Sequence, residues 1–162
     1  MGEAAAALAA TSIAFKKVAS KYSAECLTHA KSLYTFANTY RSTYTVEIPN
    51  ALNYYKSWSG YGDELAWAAA WLWRATNDSF YASEIAKHYT EFPGLKWNQG
   101  HFSWDEKTPG VQTLLAEITG NQTYKAMVQT FCDAAVVHNT TPKGIKFNLG
   151  QFDFLLQLLN NV

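Results

Sequence analysis

Apolar residues recur at helical spacing along nearly the whole chain. The Ala-rich opening, near residues 2–21, places Leu8 and Phe15 at helical intervals, and a second stretch near 23–40 does the same with Leu27, Ala30, Leu33, Tyr34 and Ala37. Tyr44-Thr-Val-Glu-Ile-Pro49 reads as an extended interruption. A third helix, about Gly60 to Thr76, carries Leu65, Ala68, Ala69 and Leu72 on one side and Trp67, Trp71 and Trp73 on the others. A helix apolar nearly all round is expected to be buried on several sides. A fourth runs from Ser79 and stops before Pro93, because proline disfavours helical geometry in the residue ahead of it. After a Gly-, Asn- and aromatic-rich loop, 94–107, Thr108-Pro109 reads as cap and first helical residue, and Gly120 as a left-handed stop. A last helix spans about Gln122 to Val137, and Thr141-Pro-Lys-Gly144 reads as a turn. The fold class is all-α.

Leu72, Thr76 and Tyr81 recur as Leu115, Thr119 and Tyr124, each displaced by 43 positions. The repeating unit is a helix, a tight turn and a second helix opening near an aromatic. Repeated hairpins build an α-solenoid or a closed ring of helix pairs. The period exceeds the roughly 34 residues of tetratricopeptide arrays, and the loop at 94–107 interrupts stacking, so the ring is the favoured reading.

The chain has 162 residues, room for one domain, with 13 Lys+Arg against 13 Asp+Glu. Zero formal charge gives no electrostatic footprint for nucleic acid or an anionic membrane surface. Six Trp, ten Tyr and nine Phe must fill wide gaps or line a face that binds something flat. Cys26 and Cys132 form one bridge or none, which spacing alone does not decide. Asn77-Asp-Ser79, Asn121-Gln-Thr123 and Asn139-Thr-Thr141 match the N-glycosylation acceptor pattern. The first fifteen residues lack the basic leading region of a signal peptide, and no run reaches the roughly 18 apolar residues of a membrane span. The chain as it stands is expected to be soluble and to carry no export address.

Tyr54-Tyr-Lys-Ser-Trp-Ser-Gly-Tyr-Gly-Asp-Glu-Leu-Ala-Trp-Ala-Ala-Ala-Trp-Leu-Trp-Arg-Ala-Thr76 resembles a signature segment of glycoside hydrolase family 9, the cellulases and endoglucanases. Phe102-Ser-Trp-Asp-Glu-Lys-Thr-Pro-Gly-Val-Gln-Thr-Leu-Leu-Ala116 and the opening Gly-Glu-Ala-Ala-Ala-Ala-Leu-Ala-Ala add to the likeness, in family order. The resemblance implies part of an (α/α)₆ barrel with an open cleft for a β-1,4-glucan, hydrolysed with inversion. Inversion needs an acid and a base held roughly 6.5–9.5 Å apart to admit the attacking water. In the family the base comes from an Asp-Ala-Gly-Asp motif upstream of the matched region, and the acid is a Glu near the C-terminal end. Neither motif occurs in these 162 residues. The expectation is therefore a middle slice of an enzyme, inactive alone, with no catalytic residue of its own. Of the local carboxylates, adjacent residues on one helix point about 100° apart, so Asp63 with Glu64 cannot form the pair by themselves.

Ser59, Gly60, Asp63 and Glu64, with Asp105, match positions that hold calcium in the family members that have it. Hard oxygen donors from a helix start and a distant loop suit Ca²⁺. Without metal, Asp63 and Glu64 in a first helical turn complement the macrodipole. Tyr55 and Trp58 match aromatic positions of the substrate cleft, where a ring stacks on the C–H face of a sugar. Trp67, Trp71 and Trp73, in the helix body, are read as core, and Trp97 as a weaker platform candidate. A zinc site from Cys26, His29, Cys132 and His138 lacks an established ligand spacing, and His88 and His101 have no obvious partner in the sequence.

After Phe147 the likeness fails. A Trp, an Arg and a Tyr of the family pattern stand here as Leu149, Asp153 and Phe154, so the organisation is read as a partial catalytic domain over 1–147 and a divergent tail over 148–162. A change this abrupt fits a shifted reading frame or altered splice near 148, or a diverged functional tail. A ring segment with about half its pairs leaves inner flanks to be covered by the remainder of the barrel or by self-association. The leading function is a fragment of a secreted endo-β-1,4-glucanase. A non-catalytic carbohydrate-binding module and a purely structural helical repeat stand as alternatives.

Overall fold

The computed structural model describes residues 1–97 and 102–137. They form two compact units, Met1–Lys96 and the residues from Trp97 onward, and no strand occurs among them.

In the first unit, α1 (Gly2–Phe15) and α2 (Ser20–Thr39) make a helix hairpin packed through small residues. Ala5, Ala6 and Ala9 are buried, and Ser23 Oγ donates to the Ser12 carbonyl at 2.6 Å. Side chains this short let two backbones approach closely. The chain breaks at 16–19, well short of the stop expected near 21. Val18 and Ala19 both donate to the Phe15 carbonyl, and Phe15 then packs edge-on against Tyr22 at 5.3 Å between ring centres. A one-turn helix, α3 (Tyr44–Glu47), and a 3₁₀ turn, Pro49–Asn53, replace the extended stretch expected there. Ile48 N–H bonds to the Tyr44 carbonyl at 2.9 Å, and proline at 49 then denies the helix its next donor.

Helix α4 (Gly62–Thr76) packs against α1, α2 and α5 (Ser79–Glu91), and a 3₁₀ turn, Pro93–Lys96, follows. Leu65, Ala66, Ala68, Ala69, Ala70 and Leu72 of α4 are buried. Trp67, Trp71 and Trp73 are only half-buried, so α4 is not sealed on every side as its composition suggested. Trp67 and Trp71, one turn apart, meet edge-to-face at 5.6 Å. Two glycines set where α4 begins. A Cβ at Gly62 would overlap the Phe92 ring, and one at Gly2 would lie 2.7 Å from the Glu64 carbonyl oxygen.

The second unit contains the hairpin of α6 (Thr108–Thr119) and α7 (Gln122–Val137). Lys107, not Thr108, takes the cap position of α6. The Thr108 amide is satisfied by Glu106 Oε1 at 2.8 Å, so the threonine hydroxyl is not needed as a cap.

The 43-residue echo is structural at the level of single hydrogen bonds. Thr76 Oγ1 donates to the Leu72 carbonyl at 2.7 Å, and Thr119 Oγ1 to that of Leu115 at 2.5 Å. Each threonine oxygen also accepts from the amide two residues on, Asp78 or Asn121. Those two residues accept in turn from Phe80 N at 2.9 Å and Thr123 N at 2.8 Å. The residue between, Asn77 at φ 56° or Gly120 at φ 66°, is left-handed, which ends one helix and redirects the chain into the next. Leu72 and Leu115 are both buried beneath their turns.

Candidate functional site

The segment between α2 and α4 is held by its own short turns and presents aromatic side chains outward. Tyr55 N–H bonds to the Ala51 carbonyl at 2.7 Å, and the Tyr44 hydroxyl donates to the Tyr55 carbonyl. Tyr55 is 51% exposed and Trp58 80%, and the neighbouring Tyr54 is exposed as well. Lys56 Nζ lies 4.5 Å from the Trp58 ring centre, a cation–π contact that covers one face of the indole. Large rings left in water on a turn-braced loop are the surface a pyranose stacks upon. The sequence singled out Tyr55 and Trp58 but missed Tyr44 and Lys56. The Tyr-Tyr-Lys-Ser-Trp run was the one signal that could have found Lys56 beside an indole.

Ser59, Gly60, Asp63 and Glu64 stand together at the junction of this loop with α4. Gly60 has φ +90°, a conformation that favours glycine, and exchanges hydrogen bonds with Ser57 Oγ through both its amide (3.1 Å) and its carbonyl (3.0 Å). Asp63 is buried and Glu64 half-buried in the first turn of α4. Their donors are all hard oxygens, two carboxylates, a hydroxyl and a carbonyl, which is the chemistry calcium selects. Among the described residues no group of three or more His, Cys, Asp or Glu side chains is arranged to hold a metal. Asp105 belongs to the second unit. It is buried there, and its amide bonds to Ser103 Oγ at 3.3 Å. Around it the loop folds on itself, with Ser103 N–H on the Glu106 carbonyl at 3.1 Å and Lys107 Nζ on the Ser103 carbonyl.

A buried polar network between α2 and α5 had no signal in the sequence. His88 is fully buried, and contrary to the expectation that it lacks a partner, its Nε2 lies 3.1 Å from the Tyr34 hydroxyl. That hydroxyl also reaches Glu84 Oε2 at 3.4 Å, and the same carboxylate oxygen accepts from Asn38 Nδ2 at 2.7 Å. With the phenol donating to the carboxylate, its oxygen is left to accept from Nε2–H, which assigns the neutral tautomer. Nδ1 then carries no proton and, among the described residues, no hydrogen-bond partner. Burial, helped by nearby Arg41, holds His88 below its ordinary value of 6.5. Burial alone would raise Glu84, but hydrogen bonds from Lys87 and Asn38 outweigh it and hold the carboxyl below its usual range. Arg41 closes the network by binding Asn38 and pairing with Glu91.

Trp97 is exposed. Cys26 is buried, Cys132 exposed, and both are free thiols. His101, His138, the Asn139 acceptor, the turn at 141–144, the boundary at 147 and the positions of Leu149, Asp153 and Phe154 lie outside the described residues. No described helix is long and apolar enough to cross a membrane.

Helix hairpins joined by one repeated turn are what the 43-residue echo in the sequence anticipated. The chain belongs to glycosyl hydrolase family 9, whose family pattern it matches over residues 1–159. It is 50% identical over 117 residues to Endoglucanase 19 of Arabidopsis thaliana, covering 72% of this chain and 19% of that protein. It is similar to the endoglucanase structure of the termite Nasutitermes takasagoensis, with a TM-score of 0.84 and 48% identity over 91% of this chain and 34% of that one. It is also similar to endoglucanase CelQ of Clostridium thermocellum complexed with cellotetraose, with a TM-score of 0.71 and 30% identity over 90% of this chain and 25% of that one. The hairpins are thus part of an (α/α)₆ barrel, the fold of these neighbours. The chain spans about a fifth of the length of the curated relatives it matches.

Proposed function

We propose that this chain is a segment of a secreted endo-β-1,4-glucanase that contributes glucan-stacking side chains, Tyr55 and Trp58, and no acid–base pair. The observation that carries the reading is the contrast within one signature segment. Tyr55 and Trp58 stand in solvent on a braced loop, whereas Trp67 and Trp71 pack against each other on α4. A purely structural repeat gives no reason to keep the first two rings in water. Family membership and the cellotetraose complex of a neighbour support a β-glucan as the substrate class. Catalysis is assigned to carboxylates supplied by the rest of the barrel, since Asp63 and Glu64 are successive residues at one helix start. Those two acids, with Ser59 and Gly60, are proposed to hold a structural calcium ion at the start of α4; the family likeness adds Asp105, which lies in the second unit.

Titration of the full chain with cellotetraose, followed by tryptophan fluorescence, tests the stacking role. Wild type is expected to show a saturable change. Tyr55→Ala and Trp58→Ala are each expected to weaken binding by about 2- to 13-fold, the range of one aromatic contact worth about 0.5–1.5 kcal/mol. Variants that bind as well as wild type overturn the assignment.

A further inference from the structure

Two of the three N-glycosylation acceptor patterns lie within the described residues, and the fold puts both on the same kind of turn. Asn77 follows α4 and Asn121 precedes α7. They occupy successive positions of the turn that repeats at 43-residue spacing. Asn77, Asp78 and Ser79 are exposed, as are Asn121, Gln122 and Thr123. Asn77 uses its backbone to close the helix, its amide donating to the Trp73 carbonyl at 2.7 Å. Among the described residues its side chain makes no hydrogen bond. Asn121 spends only its Oδ1, on the Thr123 amide, and its Nδ2 makes no hydrogen bond among the described residues. Each turn therefore presents an uncommitted amide nitrogen to water.

The location suits a bulky substituent. Asn77 ends α4 while Asp63 and Glu64 begin it, and a helix rising 1.5 Å per residue separates the two by about 20 Å. Asn121 stands likewise beyond the far end of α6 from Asp105. A sugar chain at Asn77 is thus attached about 20 Å from Asp63 and Glu64, and one at Asn121 at the opposite end of α6 from Asp105.

We propose that Asn77 and Asn121 are N-glycosylated, which rests on the secreted reading given above. In that transfer Nδ2 bonds to the anomeric carbon of an oligosaccharide. The bond from that carbon to the phosphate oxygen of a lipid-linked diphosphate donor breaks, the lipid diphosphate leaves, and the amide proton passes to a base of the transferase.

The test is translation of the full chain behind a fused, cleavable secretion leader with endoplasmic-reticulum microsomes, in an Asn139→Gln background. The leader imposes translocation, protection from added protease verifies it, and the outcome does not depend on where the natural protein resides. Ser79→Ala and Thr123→Ala abolish each acceptor pattern while keeping the asparagines that shape the turns. The expected result is a chain slowed by two glycans, both removed by peptide-N-glycosidase, with each substitution removing one. A protected chain that lacks sugar at either asparagine overturns the proposal.

Discussion

His88 is the residue whose chemistry is most constrained by its surroundings. It is neutral in the fold, with Tyr34 on one ring nitrogen and Arg41 close enough to oppose a second positive charge. Because its pKa in the fold lies below the ordinary 6.5, the unfolded chain binds the proton more readily. The stability that neutral His88 contributes is thus present above about pH 6.5 and is lost as the pH falls below it. Glu84 acts in the same direction, since a carboxyl held below its usual range contributes stability above its unfolded pKa and loses it on acidification. The melting temperature is expected to be nearly level from pH 8 to 7 and to decline below pH 6.5, with a shallower decline between pH 7 and 5.5 in His88→Gln. An unchanged slope in that variant would assign the decline to other groups. The network was not legible from the sequence, because Tyr34 meets Glu84 and His88 across 50 and 54 positions, and the i,i+4 pair on α5 does not reveal that partner.

At the scale of elements, local chemistry was readable wherever a residue satisfies its own turn. Gly120 as a left-handed stop, Pro93 as a bound on α5, and the Leu-Thr echo all hold, because caps and prolines act within a few residues. The end of α1 at Phe15 and the helical turn at Tyr44–Glu47 were not readable. No glycine or proline marks the first, and Thr-Val-Glu-Ile suits a strand until Pro49 and the packing of Tyr44 on the Tyr55 carbonyl decide otherwise. The start of α4 was legible in kind, as acids in a first turn, while the proposal that they hold calcium rests on the family likeness alone. If the ion binds, millimolar calcium raises the melting temperature, chelation by EGTA lowers it, and Asp63→Asn abolishes the difference. An Asp63→Asn chain still stabilised by calcium places the ion elsewhere, and a wild-type chain indifferent to calcium leaves Asp63 and Glu64 to the helix macrodipole.

For the whole molecule, the fold class and family were legible because the signature segment and the repeated turn are both contiguous in sequence. The cost of carrying only part of a ring falls on the faces that other hairpins cover. On α1, α2, the turn joining them and the residue that ends α2, Ile13, Phe15, Val18, Tyr22, Phe36 and Tyr40 are exposed. Apolar surface of this kind drives association, and sedimentation is expected to show concentration-dependent self-association of the isolated chain. A strictly monomeric chain at every concentration would mean that these side chains need no cover.

The claim on which the account turns is that the chain grips a β-glucan and leaves it intact. Calorimetric titration with cellotetraose reads both halves at once. The account predicts a saturable binding heat after each injection, with the thermal power returning to baseline. Absence of binding heat would contradict the stacking role of Tyr55 and Trp58, and a sustained thermal power proportional to protein would show hydrolysis by carboxylates within this chain.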